Sequence, residues 1–477
     1  MPSRILLISI NRCTTPDPVF PLALAHLSAA LREAGHETRW FDVQMPNPPL
    51  EEVLQAYRPH LVGISVRNID DVLIRTQETF FESTAEICEK VRKTIEARTV
   101  LGGSGFSIFP KELLEFSGAD FGVAGAGEAP LLELLRALEQ GQVWDQVPGL
   151  VFRRDGRVHV NPPLPDMPTP TLTDADRPLE IVARYLKEGA MLNIQTQRGC
   201  AFHCCYCTYP LLEGRAHRRR PAETVAEEFE QLQKLGARYA FIVDSVFNSS
   251  ARHVTEICEA ILKKNLKLKW GCFLRPQGLT RDLTKLMARA GLSHIEFGSD
   301  SFCDDVLESY QKGLCFDDIA HSSELAGQEH LDYCHFLIAG GPGETKETLR
   351  RGFANSKSLA GAVMMAVVGA RIYPGTALHQ RAIVEGLIEP DTNLLSPAYY
   401  LSPELTSDAI FFELQEHART APNWIVGDPS PAYENFVDRL RHRGVVGPLW
   451  SYLSMIQRIW PLPPPANPSA TTTAFSQ

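Results

Sequence analysis

The chain has 477 residues, 44% of them hydrophobic and 22% charged, with a formal net charge of −10. A folded chain of this length is expected to form two or three domains, and an acidic balance without a long basic stripe speaks against a nucleic-acid binder. The first apolar run, Ile5-Leu6-Leu7-Ile8, is too short for a signal peptide, and no segment approaches the ~20 apolar residues needed for a transmembrane span. Eleven cysteines without a secretory signal point to a reducing, cytoplasmic setting and to thiols kept for metal.

Ile5 to Ile10 reads as a first strand, and Leu22 to Glu33 carries apolar residues at helical spacing that stop at Gly35. Further β-type runs are Thr38 to Val43, Leu61 to Val66, Thr99 to Leu101 and Phe121 to Ala124, separated by helix-like stretches such as Phe80 to Glu96. The alternation predicts an α/β domain over about residues 1–145, a doubly wound parallel sheet that binds ligands at the carboxyl ends of its strands. Ser65-Val66-Arg67-Asn68, Gly102-Gly103-Ser104-Gly105 and Gly125-Ala126-Gly127-Glu128 follow the third, fourth and fifth strands. Glycine there lets backbone approach a large flat ligand or a phosphate, although tight turns also need glycine.

Gly149 to Phe152 and Val158 to Val160, joined through Arg154-Asp155-Gly156, predict a hairpin, and the prolines from Pro162 to Pro170 a semi-rigid crossing. Hairpin and crossing make residues 146–185 the domain boundary. Beyond it, strands at Leu192 to Thr196, Tyr239 to Val243, Leu268 to Phe273, His294 to Phe297, Tyr333 to Ile338 and Val363 to Val368 alternate with helices at Glu223 to Leu235, His253 to Lys264 and Asp282 to Ala290. Six such strands over residues 186–385 predict a partial (β/α)6 TIM-like barrel with its chemistry at the strand ends. Residues 386–460, with helix candidates at Ser407 to Arg419 and Trp450 to Trp460, are expected to cap the barrel and shape a substrate pocket, packing or an interaction surface being the alternatives. Residues 461–477 read as a disordered tail.

The first barrel strand leads into Arg198-Gly199-Cys200-Ala201-Phe202-His203-Cys204-Cys205-Tyr206-Cys207. Cys200, Cys204 and Cys207 stand as C-x-x-x-C-x-x-C. So short a loop brings its thiolates to one inorganic centre, iron–sulfur or zinc. No fourth protein ligand is obvious, and a four-iron cluster on three thiolates would keep one iron open. A zinc knuckle or a group of core cysteines is the bland alternative. Cys205 falls outside the spacing and is predicted to pack. The basic run Arg215-Ala216-His217-Arg218-Arg219-Arg220 reads as a solvated face, with anion binding as the other use.

The cysteine motif, with an aromatic, Tyr206, before its last cysteine, resembles the signature of the radical S-adenosylmethionine (SAM) superfamily. The resemblance implies a 4Fe-4S cluster on Cys200, Cys204 and Cys207 whose open iron is chelated by the amino and carboxylate groups of SAM. It also implies a contact from Asp244 to the methionyl amino group and a fourth-strand segment, Gly298-Ser299-Asp300-Ser301, near the ribose and carboxylate. The turn Gly340-Gly341-Pro342-Gly343-Glu344-Thr345 would lie near SAM; it lacks the Lys-Ser/Thr of a P-loop, which disfavours nucleotide hydrolysis. Arg275 and Arg371, each shortly after a strand, are candidates for the SAM carboxylate or a substrate anion, barrel salt bridges being the alternative.

The glycine loops of residues 1–145, ahead of such a motif, resemble the cobalamin-binding domain that precedes many radical SAM enzymes. The resemblance implies that Ser65, Gly102 and Gly103 line the nucleotide tail, with Gly125 to Glu128 nearby. The D-x-H-x-x-G segment that supplies a cobalt-binding histidine is absent, and Asn11-Arg12-Cys13 stands after the first strand. His26 lies in a helix, where packing is its expected role. Arg67 would face the lower side of the corrin, where a guanidinium has no lone pair for cobalt; a pair with Asp70 or Asp71 is the alternative. Together the two resemblances imply a cobalamin-dependent radical SAM enzyme, foremost a methyltransferase that uses a 5′-deoxyadenosyl radical and methylcobalamin on an unactivated carbon. Its acceptor would be a small molecule, a lipid or a peptide, and its electron donor a flavodoxin or ferredoxin. Ring formation or rearrangement without methyl transfer is one alternative, and a non-enzymatic cobalamin or metal sensor another.

Overall fold

The computed structural model describes residues 2–14, 17–163, 171–173, 176–427 and 431–452. The prolines of 164–170, the end of the Trp450 to Trp460 helix candidate and the 461–477 tail lie outside the described residues. Two seven-stranded sheets organise the rest.

The first sheet contains β1 (Arg4–Ser9), β2 (Glu37–Asp42), β3 (Leu61–Ser65), β4 (Arg98–Gly102), β5 (Phe121–Val123), β6 (Leu150–Arg154) and β7 (Arg157–Val160). Its order is β2-β1-β3-β4-β5-β6-β7, parallel through β5 and antiparallel beyond. Successive strand residues face opposite sides, and β1 is apolar from Ile5 to Ile8 because both sides are covered. Ile5 and Leu7 pack under helices Leu22–Glu33 and Glu128–Gln140, while Leu6 and Ile8 pack against Leu50–Tyr57, Ser83–Thr94 and Pro110–Ser117. The chain reverses direction across the sheet at β1, between β2 and β3, so a binding crevice opens at their carboxyl ends. The 150–160 hairpin, read above with the boundary region, extends this sheet as β6 and β7.

After β8 (Leu192–Ile194) come two short strands, β9 (Gln197–Arg198) and β10 (Arg218–Arg219). The barrel continues with β11 (Tyr239–Ile242), β12 (Lys269–Leu274), β13 (Leu292–Asp300), β14 (Asp332–Ala339) and β15 (Val363–Val368). Short β16 (Ala370–Arg371) and β17 (Tyr399–Tyr400) pair with each other, and β18 (Trp424–Val426) closes the series. The second sheet, β18-β15-β14-β13-β12-β11-β8, is parallel throughout. The six expected barrel strands are all present, and β18 is a seventh from the region read as a cap. Three residues are too few to show a strand periodicity. β13 also runs further than expected, through Gly298 to Asp300, with a register shift against β14 there. Hydroxyls of Ser250, Thr280 and Thr345 cap the helices that follow β11, β12 and β14.

The lobes share core and buried polar ties. Leu22, Ala25 and Ala29 of the first helix join the same apolar cluster as Tyr185 and Leu192. Asp70 and Arg371, 0% and 1% exposed, pair at 2.9 Å. Arg371 also donates to the carbonyls of Ile372 and Leu394, each at 2.7 Å. Arg371 is therefore a tie between lobes, not the anion contact expected above, and Asp70 is not the partner of Arg67. Tyr185 Oη donates to Asp42 at 2.8 Å, adding a second link.

Candidate active site

Antiparallel pairing of β9 with β10 pinches residues 199–217 into a closed loop at the carboxyl end of β8. Gly199 makes the entry possible: its φ is +95°, and a Cβ there would lie 2.0 Å from the Ala216 carbonyl oxygen. Its N–H donates to Glu213 at 3.0 Å, and Cys200 N–H to the Gly214 carbonyl at 3.0 Å. The basic run forms the returning arm of this loop. Arg220 is buried in it and pairs with Glu228 at 2.7 Å, so that residue is not the solvated one expected.

Cys200 is buried, and Cys204 and Cys207 are half-buried. Burial pushes the Cys207 thiol up to about 12, and the other two thiols add to that rise through their charge. Proximity of that kind, on soft ligands, fits a cluster. Cys205 turns away into the core of the first lobe; its N–H donates to the Tyr310 carbonyl at 3.0 Å and its carbonyl accepts from Leu378 N–H at 2.8 Å.

Around this loop the residues expected near SAM are placed as follows. Tyr206 donates its hydroxyl hydrogen bond to Asp300 and sets its ring edge-on to Tyr310. Arg275 lies with its guanidinium 4.2 Å over the Phe202 ring and donates to Gln277 at 3.1 Å. Asp244 is fully buried, and burial pushes its carboxyl up to about 7. It accepts from Thr196 N–H at 2.6 Å, Gln197 N–H at 3.2 Å and the Thr196 hydroxyl, anchoring the strand that enters the cysteine loop. Ser301 is buried and accepts from Cys303 N–H at 3.2 Å. Gly340 and Gly341 are glycines for packing: a Cβ on the first would lie 2.4 Å from Ile410 Cδ1, and on the second 2.2 Å from the Tyr310 hydroxyl.

On the facing lobe, Ser65, Gly102, Gly103 and Gly125 stand at or just beyond the ends of β3, β4 and β5. Gly103, with φ +98°, lets its loop lie against Val66, whose carbonyl oxygen would be 2.5 Å from a Cβ. Gly125 N–H donates to Ser107 Oγ at 2.9 Å. Arg67 has no ion pair among the described residues; it is exposed, and its charge reaches Tyr209, Cys13 and Tyr185. The end of the first sheet approaches the helix after the cysteine loop: a Cβ on Gly125 would lie 3.9 Å from the Leu212 carbonyl oxygen. Glu128 is taken up by Arg198 at 2.6 Å, joining the Gly125 loop to the residue before Gly199. His26 is buried beside them, its Nδ1 3.1 Å from Arg198. Lys312, which the sequence did not single out, pairs with Asp300 at 2.6 Å beneath the cysteine loop.

Residues 194–351 match the model of the radical SAM superfamily, and residues 8–135 that of the B12 binding domain. The chain belongs to the cobalamin-dependent radical SAM family. It is a radical SAM enzyme whose cofactors are a 4Fe-4S cluster, SAM and cobalamin. Among relatives of this cobalamin-dependent radical SAM chain, tryptophan 2-C-methyltransferase of Streptomyces laurentii is 27% identical over 76% of this chain and 72% of its own. Cytidylyl-2-hydroxyethylphosphonate methyltransferase of Streptomyces wedmorensis is 25% identical over 82% of each. The fold is that of the radical SAM methyltransferase TsrM from Kitasatospora setae, solved with cobalamin and a 4Fe-4S cluster bound: TM-score 0.84, 22% identity, 96% of this chain and 98% of that one.

Proposed function

We propose that the protein methylates a carbon of a small-molecule acceptor, with Cys200, Cys204 and Cys207 holding the cluster and the Ser65, Gly102–Gly103 and Gly125 loops holding cobalamin. The observation that carries this reading is the approach of the strand-end loops of the first sheet to the helix that follows the cysteine loop: a Cβ on Gly125 would lie 3.9 Å from the Leu212 carbonyl oxygen, and the charge of Arg67 reaches Tyr209. When bound, the reduced cluster with SAM supplies radical chemistry and cobalamin supplies a methyl group. The chain's own part is positional. Asp244 and the β9–β10 pairing fix the loop that carries the thiols. Glu128–Arg198 and Asp70–Arg371 fix the two lobes against each other, so the distance between the bound groups is set before substrate arrives. Arg67 would border the bound cobalamin, and its guanidinium has no lone pair to offer a metal. Methyltransferase relatives support small-molecule acceptors, with tryptophan the first to try. A flavodoxin or ferredoxin as electron donor belongs to the same reading, and so does a cytoplasmic setting, where thiols stay reduced.

The test is anaerobic reconstitution with iron, sulfide and cobalamin, then dithionite, tryptophan and SAM labelled in its methyl group. Label in the acceptor is the expected result. SAM consumed with an altered but unlabelled product would instead establish ring formation or rearrangement. SAM left intact by fully loaded protein would refute the enzymatic reading.

A further inference from the structure

The least expected chemistry in the molecule is a buried charge pair under the cysteine loop. Lys312 is 7% exposed, and its Nζ lies 2.6 Å from Asp300 Oδ2. A loop lysine is ordinarily solvated, and an ammonium taken out of water is costly unless paired. Asp300 is constrained in turn. It sits at the register shift of β13 with φ +65°, a backbone region unfavourable for a side chain, and it accepts the hydroxyl of Tyr206. Tyr206 stands between two of the cluster ligands in sequence, so strain, burial and pairing all converge on the loop that holds iron.

A second cation reinforces the arrangement. Arg275 donates to the Lys312 carbonyl while its guanidinium covers Phe202 of the loop. The charges of Lys312 and Arg275 both reach Cys204, and that of Lys312 also reaches Cys207. The opposing carboxylates are Asp300 itself and Glu213, which is tied to Gly199 N–H and acts on Cys200.

We propose that Lys312 is a positioning residue that sets the reduction potential of the cluster, its ammonium held in place by Asp300 so that the one-electron-reduced form is favoured. The reason is electrostatic. A cluster on three thiolates gains one more negative charge on reduction, and potential follows local charge, hydrogen bonding and burial. A fixed cation in a site shielded from water stabilises the reduced form more than the oxidised one. The electron comes from a low-potential one-electron donor, and no bond is made or broken in the step. The inference rests on the cluster assignment above but is separable from it, because iron content tests the assignment and potential tests the inference.

The experiment is an EPR-monitored dithionite titration of reconstituted, SAM-free protein, with iron content measured on each sample. Lys312→Gln is expected to move the midpoint to more negative potential, and Asp300→Asn to more positive potential. A purely structural pair would move stability in both variants without shifting potential in opposite senses. Equal potentials, or shifts of the same sign, in variants with full iron content overturn the proposal. If Lys312→Gln loads no cluster, Lys312→Arg must restore both iron and the parental potential while Asp300→Asn still shifts positive; failure of either overturns it.

Discussion

Replacing Asp70 with asparagine should weaken the joint between the two lobes. Asp70 and Arg371 are 0% and 1% exposed, and their pair at 2.9 Å joins the loop after β3 to β16, the short strand that follows the barrel strand β15. In Asp70→Asn the guanidinium keeps its two carbonyl acceptors at 2.7 Å but loses its only charge partner among the described residues. Removing one partner of a buried ion pair costs about 3–5 kcal/mol. Against a typical stability of about 5–15 kcal/mol, that raises the opened population by two to four orders of magnitude. Arg371→Met should cost a comparable amount, and the double variant clearly less than the sum, because no unpaired charge is left behind. The assay is urea unfolding of cofactor-free protein followed by circular dichroism, reading the transition that moves, since a two-lobed chain need not unfold in one step. If Asp70→Asn stays within about 0.5 kcal/mol of the parent, or the two losses simply add, the pair is not what holds the lobes together.

Three further outcomes are expected. Cys200→Ala should abolish cluster assembly, whereas Cys205→Ser should keep full iron content and lose about 1–3 kcal/mol from a hydroxyl buried in the apolar core; iron analysis and thermal melts distinguish the two. Gly199→Ala should also fail to load iron, since a methyl group would lie 2.0 Å from the Ala216 carbonyl in a left-handed conformation, and normal iron content would refute that. Burial raises the carboxyl of Glu344 from the usual 4.5 to about 7. Its folded form holds a proton that its unfolded form releases, so its contribution to stability is full below pH 4.5 and is lost as pH rises towards 7, by at most about 3 kcal/mol. Glu344→Gln should flatten that part of the stability–pH curve, measured by denaturant midpoints at pH 5 and 7.5; an unchanged slope would show that Glu344 does not titrate there.

The sequence by itself determined the features whose signal is local. Alternating strands and helices recur at short range, so β1 to β5 and the six barrel strands from β8 to β15 lie where their apolar runs are, to within a few residues. Cys200, Cys204 and Cys207 are legible for the same reason: eight residues of chain leave three thiols little freedom to diverge. Tertiary structure alone decided what depends on partners distant in the chain. Glu128 meets Arg198, Asp70 meets Arg371, and Trp424–Val426 becomes a strand only because the edge of β15 is there to pair with it. Lys312 shows the limit most clearly. Nothing beside it in the chain distinguishes it from a solvated lysine; it is buried because a bulged strand end and a tyrosine of the cysteine loop bring Asp300 to it. A periodicity or a motif records forces between neighbours, whereas the charge around a buried site is set by whichever segments the fold stacks together.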